Sequence, residues 1–167
     1  MRSSAASDVY KRQNMKYVLL VSHGTFANGL HSVLEMMAGS DRNDILSTNL
    51  INGMTVERFE GEVEKLVQEI TQEDQIILLA DLIGGSPLTT TLNVLSKKDM
   101  LKNTMVFGGM NLSLALNAVL MKDVLKQDEF KQVLIEESKE SIKEFELDSD
   151  GNDDDLSLIH ISEPTRH

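Results

Sequence analysis

Residues 75–87 read QIILLADLIGGSP, and their pattern decides the fold. Gln75–Ala80 is a short, unbroken apolar run, as expected of a strand buried on both faces. It stops at one carboxylate, Asp81, and then a glycine pair. Ser86 follows as the predicted N-cap of a helix, with Pro87 as its first residue. Leu88, Leu92 and Leu95 continue at helical spacing. A doubly buried strand leading through a tight turn into a helix is the unit of a parallel α/β sheet.

The rest of the chain repeats that unit. Tyr17–Val21 is a second buried run, ending in Ser22, His23 and Gly24. Phe26, Leu30, Val33, Leu34 and Met37 then recur at helical spacing, and Gly39 supplies a stop. A weaker strand is expected at Asp44–Thr48. Val56, Phe59, Val63, Leu66, Val67 and Ile70 mark the second helix, with Thr55 as its N-cap. Thr104–Phe107 reads as the last strand, Gly108–Gly109 as a turn, and Asn111 as the cap of a helix to about Met121. A final amphipathic helix carries Phe130, Val133, Leu134, Ile142 and Phe145. The expected fold class is α/β: an open, mainly parallel four-stranded sheet, order 2-1-3-4, with helices on both faces.

Composition removes several alternatives. The chain has 167 residues with 41% hydrophobic and 26% charged, an ordinary balance for one globular domain. It contains no cysteine, so disulfide frameworks, thiolate metal sites and catalytic thiols are excluded. A net charge of -11 argues against nucleic acid and against anionic membrane surfaces as partners. No apolar run reaches the ~20 residues of a spanning helix, and no signal-peptide core is present. A cytoplasmic location is expected, with the membrane reached only indirectly.

The ends stand apart. Residues 1–13, MRSSAASDVYKRQ, and residues 156–167, LSLIHISEPTRH, lack either periodicity and resemble translated adapter read-through, so they are expected to be non-native. The domain is placed at 14–147, and the acidic stretch 148–155 is its tail or the start of a linker. Without the ends, His23 and His31 are the histidines that remain.

In open parallel sheets ligands sit beyond the carboxyl ends of the strands, at the point where strand order reverses. SHG, DLIGGSP and GGMN all fall at that edge. If the first and third strands are neighbours, His23 and Asp81 face one crevice. A carboxylate that accepts one ring N–H leaves the other ring nitrogen as an oriented lone pair, which a nucleophilic histidine needs. Gly24, Gly84 and Gly85 allow close backbone approach, and two helix N-termini favour phosphate oxygens. Each feature alone also has a plain structural explanation: Asp81 as a turn carboxylate, Ser86 as a cap. GGSP lacks the lysine of a nucleotide-binding loop. His31 falls off the apolar stripe of its helix and reads as a rim histidine.

Three ordered segments carry a resemblance: VLLVSHGTFANGL from Val18, LLADLIGGSPLTTTLNVL from Leu78 and VFGGMNLSLALNAV from Val106. Together they resemble the IIA domain of the mannose family of bacterial sugar phosphotransferase systems, over about Met15 to Phe145. That resemblance implies a phosphotransferase working through phosphohistidine. The histidine phosphocarrier protein is the donor, a IIB domain the acceptor, and His23 the carrier. It implies Asp81 as the aspartate beside the histidine and Ser86 as the GGSP serine, with neither cofactor nor metal required. Phosphate oxygens are expected on N–H groups at Gly24, Thr25, Phe26 and Gly85–Ser86 and on the Ser86 hydroxyl. Phe26, Leu82 and Leu112 are expected to ring the crevice where partners dock. The family also implies a homodimer.

Other functions remain open. Phosphotransferase subunits of dihydroxyacetone kinases share the fold and histidine but typically lack GGSP. A hydrolytic triad of Ser86, His23 and Asp81 is a second enzyme class, weakened because GGSP is not a G-x-S-x-G elbow. A regulatory module that never carries phosphate is the third.

Overall fold

The structure is a computed structural model that describes residues 14–148. Residues 1–13 and 156–167, and the acidic stretch beyond Asp148, lie outside the described residues. Strands β1 (Lys16–His23), β2 (Ile45–Leu50), β3 (Gln75–Ala80) and β4 (Thr104–Phe107) alternate with five helices. These are α1 (Phe26–Ala38), α2 (Val56–Leu66), α3 (Ser86–Lys97), α4 (Leu112–Met121) and α5 (Gln127–Glu140). The sheet order is β2-β1-β3-β4 and all three pairings are parallel. The chain steps from β1 outward to β2, then returns to place β3 on the other side of β1. The reversal of strand order therefore lies between β1 and β3.

Alternate residues of the central strands feed two cores, which is why those strands read as unbroken apolar runs. Val18, Leu20, Ile77 and Leu79 pack with α1, α4 and α5, through Ala27, Leu30, Leu34, Leu114, Ala118, Phe130 and Leu134. Leu19, Val21, Ile76 and Leu78 pack on the opposite face against Phe59 and Val63 of α2 and Val94 and Leu95 of α3. Fully burying each valine, leucine, isoleucine or phenylalanine among them contributes about 1.5–3 kcal/mol. Among the described residues no helix is long and apolar enough to cross a membrane.

Several expectations needed correction. The buried line of α1 runs through Ala27, Leu30 and Leu34, while Phe26 and Met37 face outward at 45% and 55% exposure. Both are large and apolar, whereas the residue that packs inward, Ala27, gives little hydrophobic signal. Helix α5 stops at Glu140, so Ile142 and Phe145 lie beyond it and are exposed. The cap of α3 is Gly85, not Ser86: Gly85 has extended dihedrals and its carbonyl accepts the first helical bond, from Thr89. Ser86 is the first helical residue. The caps at Thr55 and Asn111 are as expected, each side-chain oxygen accepting a backbone N–H, from Arg58 and Leu114.

The amino edge of the sheet is closed by buried charge. The Lys122 ammonium, at the end of α4, lies 2.8 Å from Asp44 and 2.7 Å from Asp123. Arg42 binds Asp44 with two nitrogens at 3.1 Å, and the Lys16 ammonium donates to the Lys122 carbonyl at 2.8 Å.

Candidate active site

His23 is the last residue of β1 and pairs in register with Leu50 of β2. Gly24 then carries the ladder one step further, its N–H donating to the Leu50 carbonyl at 3.0 Å. It turns the chain at φ 63°, a conformation that suits glycine. Asp81 is the first residue after β3, the neighbouring strand. The parallel β1–β3 register therefore sets both side chains at the carboxyl edge, side by side.

The two are joined twice. His23 Nδ1 lies 2.9 Å from Asp81 Oδ2, and the His23 backbone N–H donates to that same oxygen at 2.9 Å. Asp81 Oδ1 accepts the Leu82 N–H at 2.9 Å. Partial burial pushes the Asp81 carboxyl up. The His23 N–H and imidazole and the Leu82 N–H outweigh that, and its pKa falls below the ordinary carboxylate value. A carboxylate at this oxygen requires the proton on Nδ1, which leaves Nε2 as the lone pair.

Nε2 faces the start of α3. A Cβ on Gly85 would fall 2.9 Å from His23 Cε1 and 3.5 Å from Nε2, so the absence of a side chain at Gly85 is what admits the ring. The imidazole is 46% exposed and the Asp81 side chain 17%. The ring is thus open to solvent, with its carboxylate partner largely covered.

The remaining expected residues gather at this edge. Thr25 caps α1 and Phe26 begins it, and among the described residues neither backbone N–H has a partner. Ser86 is exposed, and its hydroxyl makes no hydrogen bond to His23 or to any other described residue. The bond that a Ser86–His23–Asp81 hydrolytic triad needs is therefore missing. Leu82 and Leu112 are exposed at 57% and 37%. His31 lies elsewhere, half-buried, with Nδ1 2.7 Å from the Ser47 hydroxyl.

Sequence reasoning missed three residues here. Ile83 is exposed at 77%, and its side chain lies over Gly108. Ser22 and Asn49, opposite each other in the β1–β2 register, are buried polar groups whose oxygens accept the N–H groups of Ala27 and Asn28. An apolar residue beside the glycine pair was a visible signal for Ile83. Ser22 and Asn49 gave none, because their pairing depends on strand register.

A parallel α/β sheet bearing a carboxylate-held histidine at its switch point defines the class of protein. The chain belongs to the EIIA-man family, PTS system fructose IIA component, whose model matches residues 17–135; it is a IIA component of the mannose/fructose branch of sugar phosphotransferase systems. It is similar to the phosphotransferase system component EIIA of Streptococcus agalactiae, with 28% identity, TM-score 0.65 and coverage of 78% of this chain and 97% of that one. It is also similar to a PTS IIA protein associated with the fucose utilization operon of Streptococcus pneumoniae, with 26% identity, TM-score 0.66 and coverage of 79% and 94%. The mannose/sorbose specific IIA subunit of Enterococcus faecalis, 19% identical over 80% of this chain and 97% of that one, shares the fold at TM-score 0.66.

Proposed function

We propose that His23 accepts a phosphoryl group at Nε2 from the phosphohistidine of the histidine phosphocarrier protein and passes it to a IIB domain during sugar uptake. The observation that carries this is the 2.9 Å contact of Nδ1 with Asp81, which leaves Nε2 open beside the glycine start of α3. In the transfer, the Nε2 lone pair forms the new N–P bond in line with the breaking one. The electron pair of the donor's N–P bond returns to the donor ring, which leaves as neutral imidazole. His23 keeps its Nδ1 proton throughout, so its ring gains positive character as the bond forms, and Asp81 faces that charge.

The phosphoryl oxygens carry little covalent demand, and positioning does most of the work. Backbone N–H groups of Thr25, Phe26 and Gly85–Ser86 and the Ser86 hydroxyl are the proposed donors to them; the Gly24 N–H, expected to be another, is already committed to the Leu50 carbonyl. Phe26, Leu82 and Leu112 form the apolar rim on which donor and acceptor dock in turn, and Ile83 joins them. The protein works as a cytoplasmic homodimer in this proposal, and the outer edge of β4, with Val106 exposed, is a surface suited to self-pairing.

Incubation with phosphoenolpyruvate, enzyme I and the phosphocarrier should place one acid-labile, base-stable phosphate on the chain. His23→Ala should take none. Full labelling of that variant would overturn the assignment.

A further inference from the structure

Four helices begin at the carboxyl edge of the sheet, and they treat their first N–H groups differently. Helices α2 and α4 are closed by their own caps, Thr55 and Asn111. Helices α1 and α3, which flank His23, have no side-chain bond from their own cap residues. In α1 the cap position, Thr25, sits at φ -106°, ψ 16°, away from the extended geometry that a capping side chain uses.

The next N–H groups of α1, within its first turn, are instead satisfied from the sheet. Ala27 N–H donates to the Ser22 hydroxyl oxygen at 2.7 Å, and Asn28 N–H donates to Asn49 Oδ1 at 3.2 Å. The Ser22 hydroxyl can donate to the His23 carbonyl, 3.0 Å from its Oγ, or to Asn49 Oδ1, 3.4 Å from it. Ser22 is fully buried and Asn49 is 8% exposed, so these bonds are shielded from water. Asn28 is fixed a second time, its side-chain oxygen accepting the Ser47 hydroxyl at 2.8 Å.

We infer that Ser22 and Asn49 are positioning residues for phosphoryl transfer: by consuming the Ala27 and Asn28 N–H groups, they hold the first turn of α1 so that the Thr25 and Phe26 N–H groups stay free for the phosphoryl oxygens on His23. An N-cap oxygen from the helix itself would accept these same two N–H groups; here Thr25 makes no such bond and the strands supply both oxygens. The same two residues tie the turn to β1 and β2, so the donors to phosphate and the attacking nitrogen are held by one rigid frame. The inference rests on the proposed phosphoryl transfer at His23.

The test pairs kinetics with amide spectra. Single-turnover phosphorylation by the phosphocarrier should be about tenfold slower in Asn49→Ala and Ser22→Ala at saturating donor, while the donor concentration for half-maximal rate moves less than about twofold. In the wild type, phosphorylation should move the Thr25 and Phe26 amide protons downfield and leave those of Ala27 and Asn28 in place. Loss of stability alone would not produce that split, and the wild-type spectra need no variant to fold. Folded variants with wild-type rates, or equal shifts at all four amides, overturn the inference while leaving phosphoryl transfer intact. A wild type that takes no phosphate overturns both.

Discussion

Replacing Gly85 with alanine separates the work of the site from the stability of the fold. The backbone there has φ -89°, ψ 167°, open to any L residue, so the new methyl group brings no strain of its own. Alanine caps a helix less well than glycine by under about 1 kcal/mol. The smaller entropy of its unfolded chain returns about 0.4–1 kcal/mol. Thermal stability should therefore change little. The methyl carbon, however, would lie 2.9 Å from His23 Cε1, against an ordinary carbon–carbon contact of about 3.5–4.0 Å. The ring must retreat by roughly 0.6 Å or more, and Asp81 holds it at Nδ1 with a 2.9 Å bond. Retreat breaks that alignment, and the methyl group also enters the shell around Nε2 that phosphorus must occupy. A misplacement near 1 Å costs about a hundredfold, or about 2.7 kcal/mol of barrier. Rapid-quench single-turnover labelling by the phosphocarrier, beside a thermal melt, should show that loss of rate with an unchanged midpoint. A rate within about threefold of wild type in a folded Gly85→Ala protein would show that Nε2 is not the attacking atom.

Other perturbations have equally definite outcomes. Asp81→Ala should slow labelling at least about a hundredfold with the domain still folded by circular dichroism; wild-type rates would remove Asp81 from the mechanism. The folded pKa of Asp81 lies below its unfolded value, so its stabilisation is complete above about pH 4 and is lost as pH falls through the folded value. Denaturant titrations should show the stability gap between wild type and Asp81→Ala closing below about pH 4, and a gap constant down to acid pH would contradict the direction of the shift. Lys122→Met leaves the buried Asp44 with Arg42 alone and should cost about 3 kcal/mol, read as a lower melting temperature. Its labelling rate should stay at the wild-type level, because Lys122 closes the opposite edge of the sheet; a rate loss in the folded variant would tie the two edges together.

Much of this was legible in the chain because parallel strands advertise themselves. The runs at Tyr17–Val21 and Gln75–Ala80 are apolar at every position since each strand feeds two cores, and the residues that end them, His23 and Asp81, stand out by contrast. Thr55 and Asn111 were readable as caps because a capping side chain acts on its own helix. What failed to show depends on three dimensions. Whether Gly85 or Ser86 caps α3 turns on one pair of dihedrals. Phe26 looks like core and faces outward, because α1 turns the small Ala27 toward the sheet. The role of Ser22 and Asn49 follows from the alignment of β1 with β2, which pairs residues 27 positions apart.

The shared oxygen of Asp81 has a kinetic consequence. Because Oδ2 binds both the main chain and the ring of His23, swinging the imidazole from one partner toward another would break its bond to Asp81. If it carries phosphate, every exchange happens over the same spot, and donor and acceptor exclude one another. Turnover must then be ping-pong, and a surplus of unphosphorylated carrier becomes a competitive inhibitor of the acceptor. The pool of spent donor would thereby throttle sugar uptake without any separate regulatory site.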